Sequence, residues 1–321
     1  MEIETVLIAG AGAVGTLVAT QFQRAMPGKV GILAGGERLA RYRRQGFTVN
    51  GTPVDFRFVE VGSGETFDLV IVACKDHHLP DLLTDLESHV GPRTLILSLL
   101  NGITSEAKIG AKYGPARLPY AMIVGTDAGF VNGALDYCSE GLIVFGDARN
   151  ETPWSPRVAA IAHALDRAAI RYQVPEDMLG RLWYKFMFNV GINQVSAVLR
   201  RPFRTFKGPD RNPHAFALMD TAMREARAVA CAEGIPLTEV DIELVWKTVD
   251  TLSDHGQTSM LQDVLAGRKT EVELFSQQVI ALAERHGLEV PVNRALFGAI
   301  RAIETSYGEA PQAAVLSRNA S

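Results

Sequence analysis

The sequence predicts an α/β protein in which a doubly wound parallel sheet is followed by an all-helical domain. Apolar strand patterns alternate with helical ones over roughly the first 175 residues, strands stop after Val174, and helical periodicity then continues to Tyr307. Apolar runs without polar alternation are typical of strands covered on both faces, as in parallel sheets. We therefore predict a first domain at residues 1–175 and a second at 176–321.

The elements of the first domain follow from their local patterns. Strands are predicted at IETVLIAG, VGILAG, FDLVIVAC and TLILSLLN, and AVGTLVATQFQRAM between the first two has helical periodicity. Beyond Gly125, the short strand patterns AMIVGTDAGF and LIVFGD are separated by the turn-rich VNGALDYCSEG. Such strands are typical of hairpins added at the edge of a sheet.

The second domain begins with a long helical pattern. The stretch PEDMLGRLWYKFMFNVGINQVSAVLRRP opens with a proline suited to a first helical turn and closes at Pro202. Further helices are separated by KGPDRNP, EGIP, AGRK and HGLEVP. The final GEAPQAAVLSRNAS has the composition of a frayed tail.

Composition narrows the class of partner. The 32 basic and 36 acidic residues give a net charge of -4, which does not favour binding to nucleic acid or to an anionic membrane. Three scattered cysteines fit a reducing compartment, and neither a basic leader nor a membrane-length apolar run occurs, so we expect a cytoplasmic protein. The pair His77 and His78 has no companion ligands at metal spacing, and we expect no metal site.

A glycine-rich loop lies directly after the first strand and opens the first helix. It consists of Gly10, Ala11, Gly12, Ala13, Val14 and Gly15. In GxGxxG the first glycine permits a tight turn, the second lets a pyrophosphate approach the backbone, and the third lets helix and strand pack closely. The loop therefore predicts a dinucleotide site in a Rossmann-type domain, the alternative being a tight turn that only packs well.

The end of the second strand bears on the choice of dinucleotide. An NAD enzyme would place an acid near Ala34 for the ribose 2′-hydroxyl, and an NADP enzyme a basic residue for the 2′-phosphate. This chain has Gly35 and Gly36 there, with Glu37 slightly late. Four arginines follow that could neutralise a 2′-phosphate or could form a solvated helix face: Arg38, Arg41, Arg43 and Arg44.

Two further polar residues end predicted strands. Lys75 follows FDLVIVAC, and Asn101 ends TLILSLLN. The carboxyl ends of parallel strands form the ligand-binding edge of a doubly wound sheet. We therefore expect both residues at the rim that carries the glycine loop, where they would contact cofactor or substrate.

The helical stretch RLWYKFMFNVGINQVSAV carries a polar stripe. Lys185, Asn189 and Asn193 are spaced by four and line one face, while large apolar residues cover most of the remaining arc. A lysine in such surroundings needs partners, and burial lowers its pKa toward the range useful for proton transfer. The pattern fits a functional site or a helix lying at a surface.

Together these motifs resemble one enzyme family. The loop GAGAVG, the ACK at Lys75, the LLNG at Asn101, the helix LWYKFMFNVGIN and the stretch TSMLQDVLAGRKTEVE look like ketopantoate reductase (2-dehydropantoate 2-reductase) in order and spacing. The resemblance implies NAD(P)H-dependent reduction of a 2-keto acid, most simply 2-dehydropantoate to (R)-pantoate in pantothenate biosynthesis.

The resemblance assigns roles to residues of the second domain. Lys185 would protonate the substrate carbonyl, and Asn189 and Asn193 would bind the substrate. Ser259 of SMLQD would bind the carboxylate end of the substrate. Glu271 of GRKTE would lie by the lysine and the cofactor, so that Lys185 and Glu271 form the catalytic pair.

The resemblance also assigns the cofactor side. Asn101 would touch both nicotinamide ribose and substrate, and Lys75 would touch the cofactor. NADPH is the implied donor, with NAD as the alternative because Gly35 replaces the usual arginine at the end of the second strand. The expected partners are a small 2-keto acid and a second copy of the chain in a homodimer.

The chemistry agrees with these residues. Hydride transfer to a ketone leaves negative charge on the carbonyl oxygen, so a proton donor must stand within hydrogen-bond reach. We expect the stripe of Lys185 to face an interdomain cleft where this occurs. The alternatives are a reductase of another 2-oxo acid, an oxidative decarboxylase of related architecture, and a dinucleotide sensor without turnover.

Overall fold

The computed structural model describes residues 2–308, which fall into two compact units. Of the described residues, the first unit comprises 2–186 with Glu233–Leu237, and the second comprises Met187–Ala232 with 238–308. The predicted boundary at 175/176 precedes the helix Met178–Leu199, inside which the two units divide. From residue 309 onward, the predicted frayed tail lies outside the described residues.

A five-stranded parallel sheet lies at the centre of the first unit. The strands of all sheets in the described residues are, in order, β1 (Val6–Ala9), β2 (Val30–Ala34), β3 (Phe47–Val49), β4 (Thr52–Val54), β5 (Phe58–Glu60), β6 (Phe67–Val72), β7 (Val90–Ser98), β8 (Tyr120–Thr126), β9 (Gly129–Val131), β10 (Ala134–Asp136), β11 (Glu140–Gly146) and β12 (Tyr172–Gln173). The parallel sheet has the order β5-β2-β1-β6-β7. The order reverses between β1 and β6, which is where Rossmann-type domains bind ligands.

Helices cover both faces of this sheet. Those of the first unit are α1 (Ala13–Ala25), α2 (Gly36–Gln45), α3 (Leu79–Asp85), α4 (Ser105–Tyr113) and α5 (Pro156–Arg167). Phe22 of α1 and Ile161 of α5 belong to one buried cluster, and Leu82 of α3 and Ile109 of α4 belong to another. All residues of β1 and β2 are buried, as the uninterrupted apolar runs predicted. The predicted doubly wound fold is confirmed.

The additional strands differ from the prediction of hairpins at the edge of the main sheet. Strands β8 and β11 do pair antiparallel, but with β12 they form a separate three-stranded sheet. Strands β4, β3, β10 and β9 form another, so VNGALDYCSEG contains a strand as well as turns. Strands β3, β4 and β5 have three residues each, too few for an alternating pattern to stand out from its neighbours.

The second unit is helical in its described residues. The helices from the point of division onward are α6 (Met178–Leu199), α7 (Pro213–Ala232), α8 (Glu239–Thr251), α9 (Ser259–Leu265), α10 (Ser276–His286) and α11 (Pro291–Thr305). Buried polar contacts fix their packing: the Glu225 carboxylate of α7 accepts from the backbone N–H of Val292 and Asn293 at 2.9 Å, satisfying donors at the start of α11. Within residues 2–308, every helix is too short or too polar to traverse a bilayer.

Candidate active site

The glycine loop is fitted tightly to the end of β6. Gly10 has φ +109°, and a Cβ placed there would lie 2.8 Å from backbone atoms of Ala73 and Cys74. A Cβ on Gly15 would lie 1.8 Å from the carbonyl oxygen of Gly10. The first and third glycines are therefore needed by the protein itself, because any side chain would push apart the strand, the loop and α1.

Gly12 is different, because its surroundings are open. A Cβ at Gly12 would have no atom within 4 Å, and φ -87° there suits any residue. Gly12 is also the N-cap of α1, and no side chain caps this helix. Amide groups of an uncapped helix start attract phosphate oxygens, so the space at Gly12 fits a pyrophosphate.

Lys75 and Asn101 lie on the same rim as the glycine loop. The backbone N–H of Ala73 donates to the Ala9 carbonyl at 2.9 Å, so the β1–β6 ladder continues to the loop, and Lys75 follows two residues later. The Asp76 carboxylate accepts two bonds from Lys108 Nζ of α4, at 2.6 and 2.8 Å. This ion pair joins the loop of Lys75 to the helix that follows Asn101.

Lys185 reaches this rim. Its Nζ donates a hydrogen bond of 3.2 Å to Oδ1 of Asn101. Neighbouring Trp183 and Phe186 are buried in edge-to-face contact, with ring centroids 5.6 Å apart, while Lys185 is half-buried. The apolar neighbours hold the α6 backbone in place, so that the amine is presented to the asparagine. Two residues that sequence analysis singled out separately are thus hydrogen-bonded to each other.

Glu106 is a residue of this region that sequence analysis missed. Its carboxylate accepts from Ser105 Oγ at 2.9 Å and from the backbone N–H of Ala121, at the start of β8, at 3.3 Å. Burial raises the pKa of the Glu106 carboxyl above its ordinary value of 4.5, and the positive charge of Lys185 offsets part of that rise. A glutamate in the first turn of a helix is common enough that only the packing identifies it as buried.

We expect Glu106→Gln to stabilise the protein at neutral pH. Because the pKa of Glu106 is raised in the folded state, the favourable contribution of its protonated form is complete below pH 4.5 and is lost as pH rises through the folded-state value. Glutamine keeps the acceptor for Ala121 but never ionises. Urea unfolding from pH 4.5 to 8 measures the free energy of unfolding of both proteins. The value for Glu106→Gln should exceed that for the natural protein by an amount that grows with pH.

The matched control is Glu87→Gln, because the Glu87 side chain is 61% exposed and pairs with Lys112 at the surface. Its effect should be small at every pH. A Glu106→Gln protein whose stability differs from that of the natural protein by the same amount at all these pH values would contradict the expectation.

The other residues of the helical domain that were predicted to bind substrate or to act in catalysis lie in the second unit. Asn189 is half-buried and Asn193 is only 6% exposed, both on α6. Ser259 is the exposed first residue of α9, and Glu271 is half-buried just before a short 3-10 turn. The roles assigned to these four residues, and the cleft expected to contain them, stay predictions.

Contacts within the motif TSMLQDVLAGRKTE explain several of its other residues. Thr258 caps α9 by accepting from the backbone N–H of Leu261 at 3.1 Å. The buried carboxylate of Asp263 accepts from Arg268 Nε at 3.0 Å and holds the turn between them. Thr270 donates from both its N–H and its hydroxyl to Glu304 of α11, at 2.7 and 2.6 Å. These bonds fix the backbone immediately before Glu271.

A side chain at Gly35, directly after β2, would be in tight contact with Val61. A Cβ at Gly35 would lie 3.0 Å from Cγ2 of Val61, so a larger residue would press on that side chain. On α2, Arg38 pairs with Asp85 at 2.7 Å, and the guanidinium of Arg41 lies 5.5 Å from the Tyr42 ring centroid. The basic residues here therefore come from the helix and not from the strand end.

Comparison with known proteins identifies the family. The ketopantoate reductase PanE/ApbA family model matches residues 6–150, and its C-terminal counterpart matches residues 177–304. The chain belongs to the ketopantoate reductase family. The 2-dehydropantoate 2-reductase of Pyrococcus horikoshii is 26% identical over 94% of this chain and 98% of its own length. That of Archaeoglobus fulgidus is 28% identical over 95% and 99%.

Solved structures agree on the fold. A dimeric ketopantoate reductase from Staphylococcus aureus has a TM-score of 0.79 at 22% identity, covering 95% of this chain and 100% of its own. The ternary structure of D-mandelate dehydrogenase with NADH and anilino(oxo)acetate has a TM-score of 0.83 at 22% identity, covering 94% and 99%. As a member of the ketopantoate reductase family, the chain is an oxidoreductase with a nicotinamide dinucleotide as cofactor.

Proposed function

We propose that this member of the ketopantoate reductase family reduces the ketone of a 2-keto acid to a hydroxyl, with 2-dehydropantoate as the substrate and pantoate as the product. The observation that carries the proposal is the 3.2 Å hydrogen bond between Lys185 Nζ and Asn101 Oδ1. This bond joins the Lys185 amine, the proposed proton donor, to the asparagine that follows β7, at the edge of the sheet where the glycine loop lies. The relatives named 2-dehydropantoate 2-reductase support the choice of substrate.

This geometry suggests separate roles for the cofactor, Lys185 and Asn101 in the reaction. The glycine loop would hold the pyrophosphate of a reduced nicotinamide dinucleotide, which when bound would supply the hydride for the carbonyl carbon. Lys185 donates a proton from its Nζ to the carbonyl oxygen, on which negative charge would otherwise accumulate. Asn101 orients the amine through its Oδ1. The positive charge of Lys185 also attracts the substrate carboxylate, which favours a keto acid over a neutral ketone.

The second unit would supply substrate contacts. Asn189 and Asn193 offer amide groups to hydroxyl and carboxylate oxygens without adding charge. Ser259 offers a hydroxyl to the substrate carboxylate. Glu271, placed by the Thr270–Glu304 bonds, would favour the charged form of Lys185.

A steady-state assay tests the function directly. The purified protein is given NADPH or NADH with ketopantoate, pyruvate, an unbranched 2-keto acid and an aromatic 2-oxo acid, and cofactor oxidation is followed at 340 nm. Ketopantoate should give the highest kcat/KM. A higher kcat/KM for another 2-oxo acid would make that acid the substrate. If none of them were turned over, the reductase proposal would fail, and a dinucleotide sensor would be the remaining interpretation.

For the cofactor, we propose NADPH, with Arg38 or Arg41 in place of the missing strand-end arginine. Both lie on α2, which follows β2, and Arg41 is exposed to solvent. We expect NADPH to bind about three- to tenfold more tightly than NADH, the scale of one partly exposed charge pair. Fluorescence titration of the natural protein and of Arg38→Ala and Arg41→Ala measures the difference.

At least one of these substitutions should remove most of the preference, and raising the salt concentration should weaken NADPH binding more than NADH binding. Arg44→Ala provides the matched control, because it removes a charge from the far end of the same helix. If NADH bound as tightly as NADPH to all four proteins, the cofactor proposal would fail. The cytoplasmic location and the homodimer stay predictions.

A further inference from the structure

Arg38 of α2 is paired with a carboxylate of another helix, α3. Its Nη2 lies 2.7 Å from Oδ2 of Asp85, the last residue of α3. The side chains of Arg38 and Asp85 are 38% and 23% exposed, so the pair is partly shielded from water. The Nε of Arg38 is buried and has no hydrogen-bond partner among the described residues. One carboxylate oxygen therefore provides the polar contact that holds this guanidinium.

This pairing matters because of where α2 begins. The ribose of the adenosine half of a dinucleotide is bound beyond the end of the second strand of a Rossmann-type sheet, and an arginine there accommodates a 2′-phosphate. A phosphomonoester at neutral pH carries about -1.5 to -2 charges. It would have to compete with the Asp85 carboxylate for Arg38 and would also be repelled by that carboxylate. NADH carries a hydroxyl at this position and meets neither effect.

We propose that Asp85 is a specificity-determining residue for the cofactor. By pairing with Arg38, Asp85 reduces the ratio of the affinity for NADPH to the affinity for NADH. The inference rests on the proposed function in two respects: a nicotinamide dinucleotide binds along the glycine loop, and Arg38 is the arginine that meets its 2′-phosphate. Asp85 acts through Arg38 and has no role in hydride or proton transfer. Its removal therefore changes the discrimination between the cofactors and leaves the chemistry as it is.

The test is cofactor binding to the whole protein without any keto acid, by calorimetric titration with NADPH, NADH and 2′-AMP at low and at physiological salt. Asp85→Asn keeps the shape of the side chain and removes its charge. NADPH and 2′-AMP should bind about three- to tenfold more tightly, more so at low salt, while the affinity for NADH stays within about twofold. In an Arg38→Ala background, Asp85→Asn should have a much smaller effect.

Asp81→Asn is the matched control, because Asp81 is an exposed aspartate one turn earlier on the same helix. It should change no affinity by more than a small factor, and thermal melting of each variant establishes that it is folded. Equal tightening of NADPH and NADH by Asp85→Asn, unchanged discrimination, or weaker NADPH binding would overturn the inference while leaving the proposed function standing. Failure of both cofactors to bind the natural protein would overturn the two together.

Discussion

Lys185→Ala should lower kcat by about two to four orders of magnitude, the usual contribution of a positioned general acid. The Lys185 amine donates a 3.2 Å hydrogen bond to Asn101, and the aromatic residues Trp183 and Phe186 beside it on α6 are buried. Its proton is needed when charge develops on the carbonyl oxygen. Single-turnover reduction of ketopantoate measures this step without interference from product release.

Two controls separate catalysis from scaffolding. Lys185→Arg keeps the positive charge, but a guanidinium does not give up its proton in this pH range, so the rate should stay low if proton donation is the role. If charge alone mattered, Lys185→Arg would recover most of the rate. A Lys185→Ala protein that melts like the natural one and reduces substrate at a near-normal rate would make the lysine part of the scaffold.

Removing the charge of Lys185 should also change the pKa of Glu106. The positive charge of Lys185 offsets part of the burial effect on the pKa of that carboxyl. In Lys185→Ala the pKa of Glu106 should rise further, and the protein should lose more stability as pH increases. Because the charge of Lys185 affects the pKa of Glu106, the melting temperatures of the Lys185 variants must be compared at one fixed pH.

The sequence predicted the parts of the site that lie within a continuous pattern. The glycine loop, the strand ends at Lys75 and Asn101, and the helix of Lys185 each follow from local periodicity and turn chemistry, because burial repeats with the period of the element. The contacts between distant positions did not follow. The carboxylates of Glu106, Asp85 and Glu304 act on groups 15 to 47 positions away in the sequence, and nothing local distinguishes them from surface acids.

The four-stranded sheet of β4, β3, β10 and β9 was not predicted, for a related reason. Strand β10 pairs with β3 across the chain, and its three residues Ala134–Asp136 lie in a segment rich in turn residues. Side-chain alternation over three residues cannot be separated from chance, so the partner strand decides whether such a segment is a strand. Tertiary pairing, which a single sequence does not reveal, determined these elements.

The second large effect is expected at Gly12, where alanine should strongly weaken cofactor binding without unfolding the protein. A Cβ there meets no protein atom within 4 Å and φ is -87°, so the polypeptide tolerates alanine. The methyl group would instead occupy the space that a pyrophosphate needs above the uncapped start of α1. The affinities for NADPH and NADH should both fall by at least about a hundredfold, or about 2.7 kcal/mol.

Gly15→Ala should instead destabilise the fold, because a Cβ at Gly15 would lie 1.8 Å from the carbonyl oxygen of Gly10. Neither backbone segment can move without separating α1 from the sheet, so we expect a loss of stability of about 3 kcal/mol or more, at the upper end of overpacking effects. Melting curves and cofactor titrations of the two variants give opposite patterns if the second glycine serves the ligand and the third serves the fold. A Gly12→Ala protein that binds either cofactor with natural affinity would mean that the dinucleotide does not approach the backbone at this loop.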